Sequence, residues 1–216
     1  MLKLHGFAVS NYFNMVRIAL ETKGIPYEVV QRFPSQDEDW LALSPIGKVP
    51  CLETPDGTLA ETIVILEYLD ESFPDKPLIP GTPFEKGMTR QLMQMIKLYI
   101  ELPARRLFPG VFFGGKNSDA AVDEVKPVLE KGVRALNTLG RFDPYLIGAG
   151  PTAADFMLMY SLDLAAAVAK KTYDWDMLAD ITGSKALLDR LNEDPIAQRI
   201  AKEKQAQMAA FLSKRG

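Results

Sequence analysis

The chain has 216 residues, 47% of them hydrophobic and 25% charged, which suits a folded globular protein of one large or two small cores and excludes a disordered tail. Its 25 Lys and Arg against 28 Asp and Glu give a net charge of −3 with no basic block, so nucleic acid is excluded as an expected partner. A single Cys and a single His exclude an internal disulfide and any Cys-rich or His-based metal site and favour a reducing compartment. The N-terminal MLKLHGF shows no charged segment leading into an apolar core, and no apolar run reaches about 18 residues. The expectation is a cytoplasmic chain with no membrane span.

Leu2 and Leu4 alternate with Lys3 and His5, which predicts a half-buried first strand ending near Phe7. Val16, Ala19, Leu20 and Lys23 fall at helical spacing within 14–23, and Gly24 supplies a left-handed C-terminal cap. Residues 25–30 are β-rich, with Pro26 admissible only at a strand start or edge. A short helical insert is predicted near 38–43. Residues 51–54, the turn Pro55-Asp56-Gly57 and residues 58–60 spell a hairpin, because Asp-Gly suits tight turns between twisted strands. Ile65, Leu66 and Leu69 form a helical stripe within 61–73.

Pro74, Pro77, Pro80 and Pro83, with Gly81 among them, can be absorbed by neither helix nor central strand and mark a domain boundary. Everything beyond reads helical: 85–101, with Met88, Leu92, Met95 and Tyr99 as its stripe, then 120–139 and 152–169. Two more helices end the chain, the last over about 196–212 after Asp194-Pro195. The order is βαβ, a helical insert, ββα, then an all-helical domain.

Three local sequences stand out on this frame. They are Ser44-Pro45-Ile46-Gly47-Lys48-Val49-Pro50, Glu61-Thr62 at the head of a helix, and GAGPTAAD over 148–155. With them the chain resembles the cytosolic glutathione transferase family over nearly its whole length. The resemblance implies an α/β thioredoxin-like N-terminal domain at 1–80, with a mixed four-stranded sheet. A Pro-rich linker at 74–84 and an all-α C-terminal helical bundle at 85–216, which contributes the electrophile pocket, would follow.

At Val49-Pro50, a proline at a strand entrance leaves the preceding backbone outside the ladder, where a peptide-like ligand can pair. The resemblance implies a cis Val49-Pro50 bond, with Val49 meeting the cysteinyl backbone of glutathione and Lys48 its glycine carboxylate. At Glu61-Thr62, the first N–H groups of a helix favour an anion. Thr62 can offer its hydroxyl and N–H to an α-carboxylate while Glu61 faces an α-ammonium, which the resemblance identifies as the γ-glutamyl group. A plain capping pair is the alternative.

The thiol of glutathione has a pKa of about 8.5, so only about 3% is thiolate at pH 7. A depression of about two units makes it mostly thiolate, and one charge-assisted hydrogen bond of about 1.5–3 kcal/mol supplies most of that shift. The need is a donor rather than a base. Ser10 lies seven residues before Arg17, the spacing of the activating Ser in the zeta, theta, phi and tau classes, and is the expected catalytic residue. Asn11 and Tyr12 are alternative donors or pocket residues. Cys51 reads as a small core hydrophobe and His5 as structural.

The resemblance makes Phe108, Phe112 and Phe113, with Phe7, the expected electrophile pocket, apolar and hence broad in specificity, with core packing as the alternative. Thr152 and Asp155 read as a helix cap. The expected activity is conjugation of reduced glutathione to apolar electrophiles, with glutathione as co-substrate, no metal or other cofactor, and a homodimer as assembly. Two alternatives are a glutathione-dependent cis-trans isomerase of the maleylacetoacetate type and a non-catalytic binding or regulatory member, related to stringent-starvation proteins. Against the isomerase, the zeta motif Ser-Ser-Cys is here Ser10-Asn11-Tyr12.

Overall fold

The computed structural model describes residues 1–213. Two compact units emerge, one of residues 1–78 with 192–213 and one of residues 79–191.

In the first unit, β1 (Leu2–Gly6) leads to α1 (Asn11–Lys23), β2 (Tyr27–Gln31), the single turn α2 (Glu38–Leu41), β3 (Cys51–Thr54), β4 (Gly57–Ala60) and α3 (Thr62–Ser72). The sheet order is β2-β1-β3-β4. β1 runs parallel to β2 and antiparallel to β3, and β3 and β4 form the hairpin. This is the mixed four-stranded, thioredoxin-like sheet that the resemblance implies. Leu4, Leu52, Phe13, Leu20, Ile65, Leu66 and Leu69 are almost completely buried and make its core.

Helix α1 begins at Asn11, three residues before its apolar periodicity. The cause is Ser10, which takes the N-cap position and accepts a hydrogen bond at Oγ from Phe13 N–H at 3.3 Å. Gly24 closes the helix at φ 71°, as its position predicts. The strand expected from residue 25 starts at Tyr27 instead, because Ile25 N–H is spent on the Leu20 carbonyl in closing α1 and Pro26 has no N–H.

The second unit holds α4 (Pro83–Ile96), a π-helical stretch (Lys97–Glu101), α5 (Leu102–Arg105), α6 (Phe108–Phe112), α7 (Asp119–Leu139), α8 (Ala153–Tyr173) and α9 (Ser184–Asn192), the last ending one residue into the first unit. The single helix expected over 85–101 is thus widened near its end. Its buried stripe is Thr89, Leu92, Met93, Ile96 and Ile100, rotated from the predicted one, and Met88, Met95 and Tyr99 are only half-buried. Asp155 at the head of α8 is fully buried and accepts from Leu146 N–H and Thr152 N–H, each at 2.8 Å, and from the Thr152 hydroxyl at 2.7 Å.

Helix α10 (Pro195–Ser213) has the predicted position, but residues 192–213 pack with the first unit rather than with the helical domain to which the sequence pattern joins them. The reason is charge pairing on α1. Arg17 meets Glu203 at 2.5 Å and Arg199 pairs with Glu21. Among the described residues, no helix is long and apolar enough to cross a membrane.

Candidate active site

Register brings three distant segments to one end of the sheet. Cys51 opposes His5 of β1 on one side and Ala60 of β4 on the other. The residues just after β1, just before β3 and just after β4 therefore share an end of the sheet, and they are the loop to Ser10, the Val49-Pro50 step and Glu61-Thr62.

The Val49-Pro50 bond is cis, and Val49 lies two residues before Cys51, outside the β1–β3 ladder. The preceding loop is held from within. Ser44 Oγ donates to the Lys48 carbonyl at 2.8 Å, Gly47 N–H donates to the Ser44 carbonyl at 2.7 Å, and Ser35 N–H donates to the Gly47 carbonyl at 3.0 Å. Gly47 has φ 70°, and a Cβ there would sit 2.0 Å from the Ser35 carbonyl oxygen, so a side chain is excluded by both conformation and space. Trp40, Val49 and Cys51 form a small core of their own beneath this loop, with Phe7 and Leu43 packed against it. Lys48 itself is exposed.

Glu61 has φ 70° and ψ 116°, an uncommon conformation for a residue with a side chain. Its carbonyl accepts from Ile65 N–H at 3.0 Å, so helix α3 starts at once and Thr62 is its first residue. Thr62 is buried, and its Oγ1 has no hydrogen-bond partner among the described residues. A buried hydroxyl without a partner costs free energy that a ligand's acceptor can return. Together with the first N–H groups of α3, it suits a carboxylate.

Ser10 is half-buried. Because its oxygen accepts from Phe13 N–H through a lone pair, the hydroxyl proton is left to donate. Asn11 and Tyr12 occupy the first turn of α1, the former buried and the latter half-buried. Phe7 is half-buried with its ring centroid 4.8 Å from that of Phe33, an exposed aromatic residue that the sequence reading passed over. In the second unit, Phe108 and Phe112 meet edge to face at 5.0 Å. Phe108 is buried, Phe112 is exposed and Phe113 is 68% exposed. The Arg105 guanidinium, paired with the buried Glu101, lies 4.9 Å over the Phe108 ring.

Burial, with the Glu53 charge adding to it, pushes the Cys51 thiol up to about 11, and its Sγ lies 3.3 Å from the Leu43 carbonyl it donates to. Such a thiol is protonated and unreactive at neutral pH. His5 is buried against Glu53, its Nε2 3.2 Å from the carboxylate, with the Trp40 ring at 5.6 Å. Lys3 donates to the other Glu53 oxygen at 2.8 Å, and the bonds from Lys3 and His5 hold the Glu53 carboxyl below its ordinary range.

The sequence model of the glutathione S-transferase N-terminal domain matches residues 4–77. A glutathione S-transferase of Pseudomonas putida is 46% identical over 212 residues, covering 98% of this chain and 96% of that protein. The crystal structure of a glutathione S-transferase from Rhodospirillum rubrum superposes with a TM-score of 0.72 at 25% identity, covering 93% of this chain and 91% of the other. A bacterial maleyl pyruvate isomerase of the zeta class gives the same TM-score and identity over 92% of this chain and 95% of its own. With likeness in sequence along almost the entire length and the same fold beneath it, the chain belongs to the glutathione S-transferase family of enzymes.

Proposed function

We propose that the chain binds reduced glutathione at the shared end of the sheet and joins it, through its sulfur, to an apolar electrophile. The observation that carries this reading is the common register partner, Cys51, which gathers Ser10, Val49-Pro50 and Glu61-Thr62 at one end of the sheet. In this reading, the γ-glutamyl carboxylate takes the Thr62 hydroxyl and the first N–H groups of α3, and Glu61 faces the ammonium. The backbone of Val49 pairs with the cysteinyl unit, and Lys48 meets the glycine carboxylate.

The Ser10 hydroxyl donates to the sulfur. The thiol proton leaves to solvent, and the thiolate attacks an electrophilic carbon, forming a carbon–sulfur bond while the leaving group departs with the bonding pair. Phe7, half-buried beside Phe33, supplies apolar surface for the electrophile. Asn11 or Tyr12 is the donor if Ser10 is not. Glutathione is a co-substrate, and nothing in this scheme calls for a metal or a further cofactor. The assembly is a homodimer in the cytoplasm, with the exposed Phe84 of α4 and its half-buried Met88 and Met95 as apolar surface for it.

The test is conjugation of glutathione to a chloronitrobenzene followed by absorbance. Loss of one charge-assisted hydrogen bond predicts a fall of about ten- to hundredfold in kcat for Ser10→Ala, with glutathione affinity nearly unchanged. A full rate in Ser10→Ala and a lost one in Tyr12→Phe or Asn11→Ala would reassign the donor. The likeness to the maleyl pyruvate isomerase favours, as a second reading, glutathione-dependent isomerisation of an unsaturated dicarboxylate. Turnover of such a substrate with no net consumption of glutathione would identify it.

A further inference from the structure

We propose that Asn14 and Gln207 are positioning residues for the Ser10 hydroxyl, acting together as a clamp on the peptide group between Ala8 and Val9. The inference rests on the reading of Ser10 as the thiolate donor.

The loop after β1 is a four-residue turn, closed by Ser10 N–H donating to the Phe7 carbonyl at 3.0 Å. The central peptide of such a turn joins Ala8 to Val9. Type I and type II turns differ by a flip of that central unit while the closing hydrogen bond is kept. The closing bond therefore does not fix the orientation of the Ala8–Val9 peptide.

Both polar ends of the central peptide are gripped by side-chain carboxamides. Asn14 Nδ2 donates to the Ala8 carbonyl at 2.8 Å, and Gln207 Oε1 accepts from Val9 N–H at 3.2 Å. A peptide group is planar, so holding its oxygen and its N–H from different directions fixes the rotation of the whole plane. Asn14 is fully buried on α1 and is tied by its own N–H to the Ser10 carbonyl at 3.1 Å. Gln207 reaches the loop from 198 residues further along the chain.

The seat of α10 explains how so distant a residue arrives in register. Arg199, Glu203 and Gln207 follow at four-residue steps and share one face of the helix. Arg199 pairs with Glu21 and Glu203 with Arg17. Arg17 and the Tyr27 hydroxyl also bond Glu21 at 3.0 and 2.8 Å. This cluster locks the helix onto α1 one turn before Gln207. Carboxamides are apt here because they orient a peptide without placing a net charge beside a sulfur anion.

The experiment uses the full chain and titrates the ultraviolet thiolate band of bound glutathione, beside kcat and KM with a chloronitrobenzene. Gln207 is half-buried, and Gln207→Met keeps its length while removing the acceptor. The expected result is a rise of about half to one unit in the thiol pKa and a fall of about three- to tenfold in kcat below neutral pH, with the glutathione KM within about twofold. The same substitution in a Ser10→Ala background should add no further shift. An unshifted titration in Gln207→Met, where Ser10→Ala does shift it, overturns the clamp and leaves Ser10 as donor. An equal shift in both backgrounds overturns it too, since Gln207 would then act on the sulfur by another route. If Ser10→Ala alone leaves the titration unmoved, the reading of Ser10 fails and the clamp fails with it.

Discussion

The Lys23 ammonium is completely withdrawn from solvent and lies 3.6 Å from a carboxylate oxygen of Asp70, while donating to the carbonyls of Asp75 and Lys76 at 3.2 and 3.0 Å. Asp70 in turn accepts from Leu78 N–H at 2.5 Å. One cation thus ties the end of α1 to α3 and to the proline-bearing segment beyond it. Its truncation leaves a buried carboxylate without its counter-charge and two carbonyls without their donor. Lys23→Met should cost about 3–5 kcal/mol in urea unfolding, and protease cleavage within 74–78 should quicken.

Thr62 separates stability from binding. Its hydroxyl is buried without a partner among the described residues, so Thr62→Val removes a polar atom at almost constant shape. The unliganded protein should gain about 1 kcal/mol in thermal unfolding. Glutathione should bind about tenfold more weakly by calorimetry, and Thr62→Ser should restore it. A loss of stability with unchanged binding would show that the hydroxyl serves the fold instead.

Asp155 carries both a cap and a pH signature. Asp155→Ala orphans the N–H groups of Leu146 and Thr152 and should lower stability by about 2–3 kcal/mol. Burial raises the carboxyl pKa above its ordinary 3.8 despite the hydrogen bonds that oppose the shift. A folded state with the higher pKa takes up its proton first. Relative to Asp155→Asn, the wild type should therefore gain stability as pH falls toward 3.8 and lose it as pH rises through the folded value. Melting temperatures of the two proteins between pH 4 and 8 check the sign.

Cys51, with its thiol at about 11 and its side chain in the core, should resist a thiol reagent in the native protein near neutral pH. Only about one thiol in ten thousand is ionised there. Full labelling should follow unfolding in guanidinium. Rapid stoichiometric labelling of the native state would contradict the burial of this residue.

Local chemistry made much of this molecule readable beforehand. The Asp-Gly hairpin, the αL cap at Gly24, the stripe of α3 and the cap at Thr152 each rest on contacts between near neighbours in sequence. Where partners lie far away, the pattern misled. The core stripe of α4 is rotated from the expected one already at Thr89 and Met93, and no local period records what the neighbouring helices demand. α10 joins the first unit through Arg17 and Glu21, a pairing that neither helix reveals alone. The site shows the same division. Ser10, Val49-Pro50 and Glu61-Thr62 stand in short motifs, whereas Asn14 resembles any polar helix residue and Gln207 any exposed one. An Asn at a position facing the apolar side of α1 was the one available signal for the former.

The double pairing of Cys51 ties chemistry to strand alignment. If β3 slid by a single residue against either neighbour, alternate side chains would swap faces and the three segments of the candidate site would part company in one step. Misaligned hairpins, whether from mutation or faulty refolding, would thus yield molecules that retain helical content yet are catalytically silent, so turnover per milligram reports on the fidelity of sheet assembly in any preparation of this enzyme.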